Sequence, residues 1–189
     1  MLVILCGPSC AGKTEIQKEL LKRGYCEMIS HTTRKPRNGE VDGKDYHFVS
    51  EEEFLKMKSD DNFAETDKYA DIYYGTSIDE VKKAISSGKD YVAVVTPSGV
   101  RVLTKIAGKE NCFSVLVTAS AAARVRRYIN RAGDAFDVDD FKRLVDRIDT
   151  DKTLFHGIDN YVNLVLDNSV DNPEDIIKYT NELESKFKK

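Results

Sequence analysis

The stretch Gly7-Pro8-Ser9-Cys10-Ala11-Gly12-Lys13-Thr14 constrains this chain more than any other. Its spacing, Gly-x4-Gly-Lys-Thr, is that of a phosphate-binding P-loop. The glycines let the backbone curl with its N–H groups pointing inward, the lysine reaches the β/γ-phosphates, and the hydroxyl holds Mg²⁺. The surroundings suit it. Leu2-Val3-Ile4-Leu5-Cys6 reads as a buried strand, and Ile16, Leu20 and Leu21 then recur on one helical face up to a stop at Gly24. A helix opening at the loop puts the positive end of its dipole under bound phosphate. The alternative is a Gly-rich turn that matches by chance, and it leaves the flanking strand and helix unexplained.

A chain of 189 residues has room for one α/β core with one or two small insertions. Its 41% apolar and 32% charged composition is that of an ordinary globular protein. No run approaches the roughly 18 apolar residues of a membrane span. A P-loop beginning at residue 7 leaves no room for a signal or transit peptide, so a cytoplasmic protein without membrane partners is expected. The net charge of -3 argues against a dedicated nucleic-acid binder. Cys6, Cys26 and Cys112 sit in or beside apolar runs and read as small core residues, whereas Cys10 lies in the P-loop near a helix N-terminus that favours a thiolate, and reads foremost as a small side chain filling a loop position. His31, His47 and His156 are too scattered for a metal site.

Along the chain, Tyr25 to Ser30 reads as a short strand, Glu51 to Lys58 as a short helix, and Ser77-Ile78-Asp79-Glu80 as a capping box opening a helix that stops at Gly88. The continuous apolar runs Tyr91 to Val95 and Cys112 to Val117, with a helix through Val100, Leu103 and Ile106 between them, read as parallel strands buried on both faces. Such alternation predicts a doubly wound sheet with its ligand cleft at the carboxyl ends of the strands. The last strand is expected over Tyr161 to Leu166. The final helix is expected to be capped by Asn172, to begin at Pro173 and to face the core through Ile176, Ile177 and Leu183, with Phe187-Lys188-Lys189 fraying.

Two further stretches carry chemistry. In Ser30-His31-Thr32-Thr33-Arg34-Lys35-Pro36-Arg37, followed by Tyr46, two arginine forks and a phenol make a clamp for a dianionic phosphate, or else a solvated loop with incidental arginines. From Ala121 on, Arg124, Arg126, Arg127 and Arg131 fall within eight residues, and Arg143 and Arg147 follow on a second helix that begins at Asp137. On charge alone these are either a functional arginine cluster or two solvated helices paired with Asp139, Asp140 and Asp146.

Residues 30 to 49 resemble the guanylate kinase signature Ser-x-Thr-Thr-Arg-x-Pro-Arg-x-Gly-Glu-x-x-Gly-x-Asp-Tyr-x-Phe-Val. The likeness continues through Phe63-Ala64-Glu65 and Ile72-Tyr73-Tyr74-Gly75-Thr76. The resemblance implies a P-loop doubly wound parallel sheet core (about 1–30, 77–126 and 157–189). It also implies a GMP-binding insertion of mixed strands (about 31–76) and a helical lid (about 127–156), together one guanylate-kinase-like domain. It implies ATP as donor with Mg²⁺ as cofactor, GMP or dGMP as acceptor, and a monomer or homodimer. ATP would be held by Gly7, Ser9, Cys10, Ala11, Gly12, Lys13, Thr14 and, near adenine, Asn168; Thr14 would ligate the metal. GMP would be held by Ser30, Arg34, Arg37, Glu40, Tyr46, Glu65, Tyr74, Gly75 and Thr76, with Ser30, Glu65 and Thr76 reading guanine. Lys13, Arg127, Arg131 and Arg143 would neutralise the transferring group, the last three from the lid.

The chain departs from the family at one place. Where the family carries an Asp-x-Asp pair, near the metal's water shell and the guanine amino group, Val94 and Thr96 stand. Glu65 would then be the main anionic partner of guanine. The rival readings are a catalytically weak module that binds phosphopeptides through Arg34, Arg37 and Tyr46, and a kinase of another phosphate-bearing acceptor.

Overall fold

The computed structural model describes residues 1–37, 39–69, 71–170 and 172–187. Its centre is a five-stranded parallel sheet made of β1 (Leu2–Cys6), β2 (Cys26–Glu27), β7 (Tyr91–Val94), β8 (Cys112–Thr118) and β9 (Leu164–Asp167), in the spatial order β2-β7-β1-β8-β9. Middle strand β1 pairs Ile4 with Ala93 on one side and with Ser114 on the other. Its side chains alternate between two cores. Leu2, Ile4 and Cys6 pack beneath α3 (Ile78–Ser86) and α4 (Pro97–Ala107), meeting Val81, Val100 and Leu103. Val3 and Leu5 pack beneath α1 (Lys13–Lys22) and α7 (Pro173–Phe187), meeting Ile16, Leu20 and Leu183. Burial on both faces is why the run is apolar without interruption, and each fully buried aliphatic side chain contributes about 1.5–3 kcal/mol.

The second sheet is mixed. It joins β3 (His31–Thr32), β4 (His47–Phe48), β5 (Phe63–Tyr69) and β6 (Ile72–Ser77) in the order β4-β3-β6-β5. β3 runs parallel to β4 and antiparallel to β6, which is antiparallel to β5. α2 (Glu51–Ser59) clamps this sheet through Phe54, which is fully buried and stacks at 4.6 Å on Phe63 and 5.4 Å on Tyr73. Gly75 is dictated by the same packing, since a Cβ there would press on the Phe54 and Phe63 rings. Along β5, Glu65, Asp67 and Tyr69 share one face, two residues apart. α5 (Ala121–Ala132) and α6 (Val138–Leu154) stand together after β8.

Five expectations need correction. The strand expected over Tyr25 to Ser30 shrinks to Cys26–Glu27, because the Ile29 N–H turns away to the Glu80 carboxylate. For the same reason the Ser77 box is half made: Ser77 accepts from the Glu80 N–H while the Glu80 side chain serves Ile29 and Lys83. A complete box sits instead at Ser50 and Glu53. The last strand begins at Leu164 rather than Tyr161, because Ile158–Tyr161 forms a 3-10 turn and the Asn163 side chain takes the Ser114 N–H and hydroxyl. Ile177 is 50% exposed, turned away from the face that carries Ile176 and Leu183. Phe187 is helical and packs 5.2 Å from Phe113; Lys188 and Lys189, expected to fray, lie outside the described residues.

Candidate nucleotide site

The P-loop lies between β1 and α1 and is shaped by positions that only certain residues satisfy. Gly7 has φ 149°, and a Cβ there would run into the Val117 carbonyl; Gly12 has φ 100°, and a Cβ there would strike the Asn168 amide. Cys10 also holds a positive φ of 61°, a strained setting for a residue with a side chain. The carbonyls of Gly7, Pro8, Ser9, Cys10 and Ala11 are each taken by a side-chain donor. Lys13 Nζ donates to Gly7 at 2.6 Å and Pro8 at 2.9 Å. Arg124 Nε donates to Ser9, Arg127 to Cys10 and Ala11, and Asn168 Nδ2 to Ala11 at 2.9 Å. Enclosure by the loop pulls the Lys13 ammonium from its ordinary 10.5 down to about 8, against the opposing pull of Asp151.

Asp151 of α6 is 3% exposed and gathers several elements. It pairs with buried Arg124 of α5, accepts the Ser9 N–H at 3.2 Å, and accepts the Tyr69 hydroxyl of β5 at 2.8 Å. One helical turn earlier, Arg147 donates to Ser9 Oγ at 3.1 Å and lies over the Tyr69 ring.

Across the cleft, Thr76 Oγ1 donates to Glu65 at 2.7 Å, and the Ser30 hydroxyl lies 3.4 Å from Thr76 Oγ1. Burial pushes the Glu65 carboxyl above its usual range, the Thr76 hydrogen bond works the other way, and neighbouring Asp67 adds to the rise. Gly99 keeps α4 close, for a Cβ there would press on Val95 and come within 3.3 Å of the Glu65 carboxyl carbon. Arg34 is held in a fork by Glu40 at 2.8 and 2.9 Å, with its guanidinium over Tyr46 and Phe48. Arg37 lines the cleft with Tyr46 and Tyr74, and burial, Arg34 and Arg131 together depress its pKa. Such crowding of cations around open space is a setting for an anion. Between the two walls run Val94, Val95 and Thr96 at the carboxyl end of β7, where a parallel sheet places its ligands.

The family profile described as guanylate kinase matches residues 1–183. The chain belongs to the guanylate kinase family. Guanylate kinases similar to it include that of Bacillus anthracis, 38% identical over 141 residues that span 73% of this chain and 68% of that one. That of Onion yellows phytoplasma (strain OY-M) is 32% identical over 180 residues, spanning 94% and 82%. In fold, the chain is similar to the crystal structure of guanylate kinase from Anaplasma phagocytophilum, with a TM-score of 0.72 at 21% identity over 100% of this chain and 87% of that one. Membership makes this protein a nucleoside monophosphate kinase with the family's α/β fold.

Against the family's signature, the structure brings Gly7, Ser9, Cys10, Lys13, Thr14, Ser30, Arg37, Tyr46, Glu65, Tyr74 and Arg131 to the lining of one cleft. Ala11 and Gly12 complete the loop, Gly75 and buried Thr76 back Glu65, and Glu40 anchors Arg34. Asn168 is 4% exposed and supports the loop from below through Ala11. Arg127 likewise grips loop carbonyls. Arg143 points outward, 58% exposed and paired with Asp140. Sequence reasoning left Arg124, Arg147, Asp151, Asp67 and Tyr69 out of the site. The two-residue period of β5 from Glu65 was signal enough for Asp67 and Tyr69, and the four-residue step from Arg147 to Asp151 placed that pair on one face.

Proposed function

We propose that this chain transfers the γ-phosphoryl group of ATP to the phosphate of GMP or dGMP, giving ADP and GDP or dGDP. The observation that carries this reading is the single cleft in which Lys13 and the P-loop face Glu65, itself held by Thr76. Guanine offers N1–H and 2-amino donors side by side to such a carboxylate. Adenine presents an acceptor at N1 and would leave a buried carboxylate opposed to a lone pair. The acceptor's phosphate lies among Arg37, Tyr46 and Tyr74, with Arg34 behind, and the donor's phosphates lie on Gly7 to Thr14.

An oxygen of the GMP phosphate attacks Pγ in line, the bond from Pγ to the β,γ-bridging oxygen breaks, and ADP departs with that electron pair. No protein nucleophile is needed, so the chain's contribution is positioning and charge neutralisation. Lys13 stabilises charge on the moving group, Arg131 faces it from the cleft lining, and Arg127 holds the loop that carries the donor's phosphates, while Arg143 would have to leave Asp140 to reach it. Among the described residues no cluster of His, Cys, Asp or Glu could cage a metal. The Thr14 hydroxyl at the head of α1 is a hard neutral oxygen that suits a Mg²⁺ ion otherwise held by phosphates and water. When bound, Mg²⁺ supplies neutralisation of phosphate charge.

A coupled assay of ADP release across GMP, dGMP, IMP, AMP, UMP and ribose phosphates tests the proposal. Turnover with GMP or dGMP well above the others is expected. No turnover with any acceptor would favour the phosphopeptide-binding alternative, and preference for a ribose phosphate would overturn the base assignment.

A further inference from the structure

The Asp-x-Asp pair is replaced by Val94 and Thr96, yet the structure places a carboxylate beside Thr96 from another element. Asp67 of β5 accepts a hydrogen bond from Ser98 Oγ at 2.9 Å, and Ser98 Oγ lies 3.0 Å from Thr96 Oγ1. Thr96 caps α4, accepting from the Gly99 N–H at 3.4 Å, and lines the cleft beside Glu65.

Counting protons fixes the direction of this chain. An ionised carboxylate only accepts, so the single Ser98 proton goes to Asp67. Ser98 Oγ must then accept from Thr96, which commits the Thr96 proton as well. Thr96 Oγ1 keeps a lone pair beyond the one used by Gly99, so toward the cleft it is an acceptor only. We infer that Asp67, acting through Ser98 and Thr96, is a specificity-determining positioning residue. It fixes Thr96 as the acceptor for the exocyclic 2-amino group of the acceptor base, taking over at a distance the role of the absent carboxylates. The inference rests on the guanine reading of this cleft. Within it, Glu65 takes N1–H and one hydrogen of the 2-amino group, and the Asp67–Ser98–Thr96 relay takes the amino group's other hydrogen. A base with hydrogen at C2 leaves Thr96 without a donor, and a base with a carbonyl at C2 opposes two acceptors.

The test is kcat/KM for GMP, IMP and XMP with the full chain and with Thr96→Val, Ser98→Ala, Asp67→Ala, Asp67→Asn and the Asp67→Ala/Ser98→Ala double variant. Each alanine variant should lower the GMP-to-IMP ratio by about three- to tenfold, the value of one neutral hydrogen bond. Asp67→Asn keeps an acceptor for Ser98 and should lose less. Breaking the relay frees the Thr96 proton to turn toward the cleft, so XMP should gain on GMP in Ser98→Ala and Asp67→Ala. General damage to the fold would not produce that gain. The double variant should lose no more selectivity than either single one, since both cut the same chain. Thr96→Val also removes the α4 cap, so the exposed Ser98→Ala change is the deciding one. Unchanged GMP-to-IMP and GMP-to-XMP ratios in Ser98→Ala and Asp67→Ala, or losses that multiply in the double variant, overturn the relay while leaving the kinase reading intact. A wild-type chain that phosphorylates no GMP sinks that reading, and this inference with it.

Discussion

On the P-loop side of the cleft the ligand-facing surface is backbone, held by side chains that grip its carbonyls from outside. On the insertion side the surface is made of side chains, Glu65, Tyr46, Tyr74 and Arg37, oriented by other side chains such as Thr76 and Glu40. A backbone surface answers to any phosphate, because N–H groups and a helix dipole carry no memory of what bears the charge. A side-chain surface can distinguish one edge of a base from another, and can be altered one group at a time. The two walls therefore differ in kind: one grips through backbone held from outside, and the other through side chains that a single substitution can change.

The largest expected effect is at Asp151, which ties the two sides together. Asp151→Ala leaves the Arg124 guanidinium buried without its counterion and should cost about 3–5 kcal/mol of stability. Tyr69→Phe removes only the contact from the insertion and should cost about 1 kcal/mol. Urea unfolding of both variants measures this; equal losses would mean that the insertion, and not the P-loop wall, depends on Asp151.

Next in size are single charged contacts on opposite walls. Lys13→Ala should chiefly depress kcat and Arg37→Ala should chiefly raise KM for GMP, each by about ten- to over a hundredfold, corresponding to roughly 1.5–3 kcal/mol. The same kinetic signature from both would erase the division between the walls.

The smallest effect lies at the sheet edge. Burial, with Asp45 nearby, raises the Glu27 carboxyl from 4.5 to about 7, and Gln17 donates to it at 2.8 Å. A raised acid binds more protons folded than unfolded, so it withholds stability progressively as pH climbs from about 4.5 to about 7 and fully above. Glu27→Gln retains the Gln17 contact and should raise the melting temperature at pH 8 by about 2–4 °C. That gain should vanish at pH 4.5, where the folded carboxyl is protonated and the unfolded one is at its midpoint. A gain of equal size at both pH values would trace it to packing instead of ionisation.

The same contrast explains what the sequence disclosed. Gly7, Gly12 and Lys13 are local requirements of one turn, so their spacing was readable, as were the buried runs of β1, β7 and β8 with burial on both faces. The resemblance reached the insertion through an unbroken motif. Asp151 was missed because its partners are distant, Ser9 142 residues away and Tyr69 82, and the step from Arg147 says only that the two share a helix face. The start of β9 was misplaced because the Asn163 amide, a side chain, does there what a strand's backbone would. Arg124, noted only as part of the arginine-rich run after Ala121, proved 8% exposed, and a salt bridge closed from another helix leaves no local trace.

The occupied carbonyls of the P-loop also bear on time. A peptide group can flip only if its carbonyl oxygen leaves its partner, and in Gly7 to Ala11 each oxygen is already bonded to a lysine, arginine or asparagine. The ordering of those five residues thus belongs to the folding of the chain, once, and is already in place before any ligand arrives.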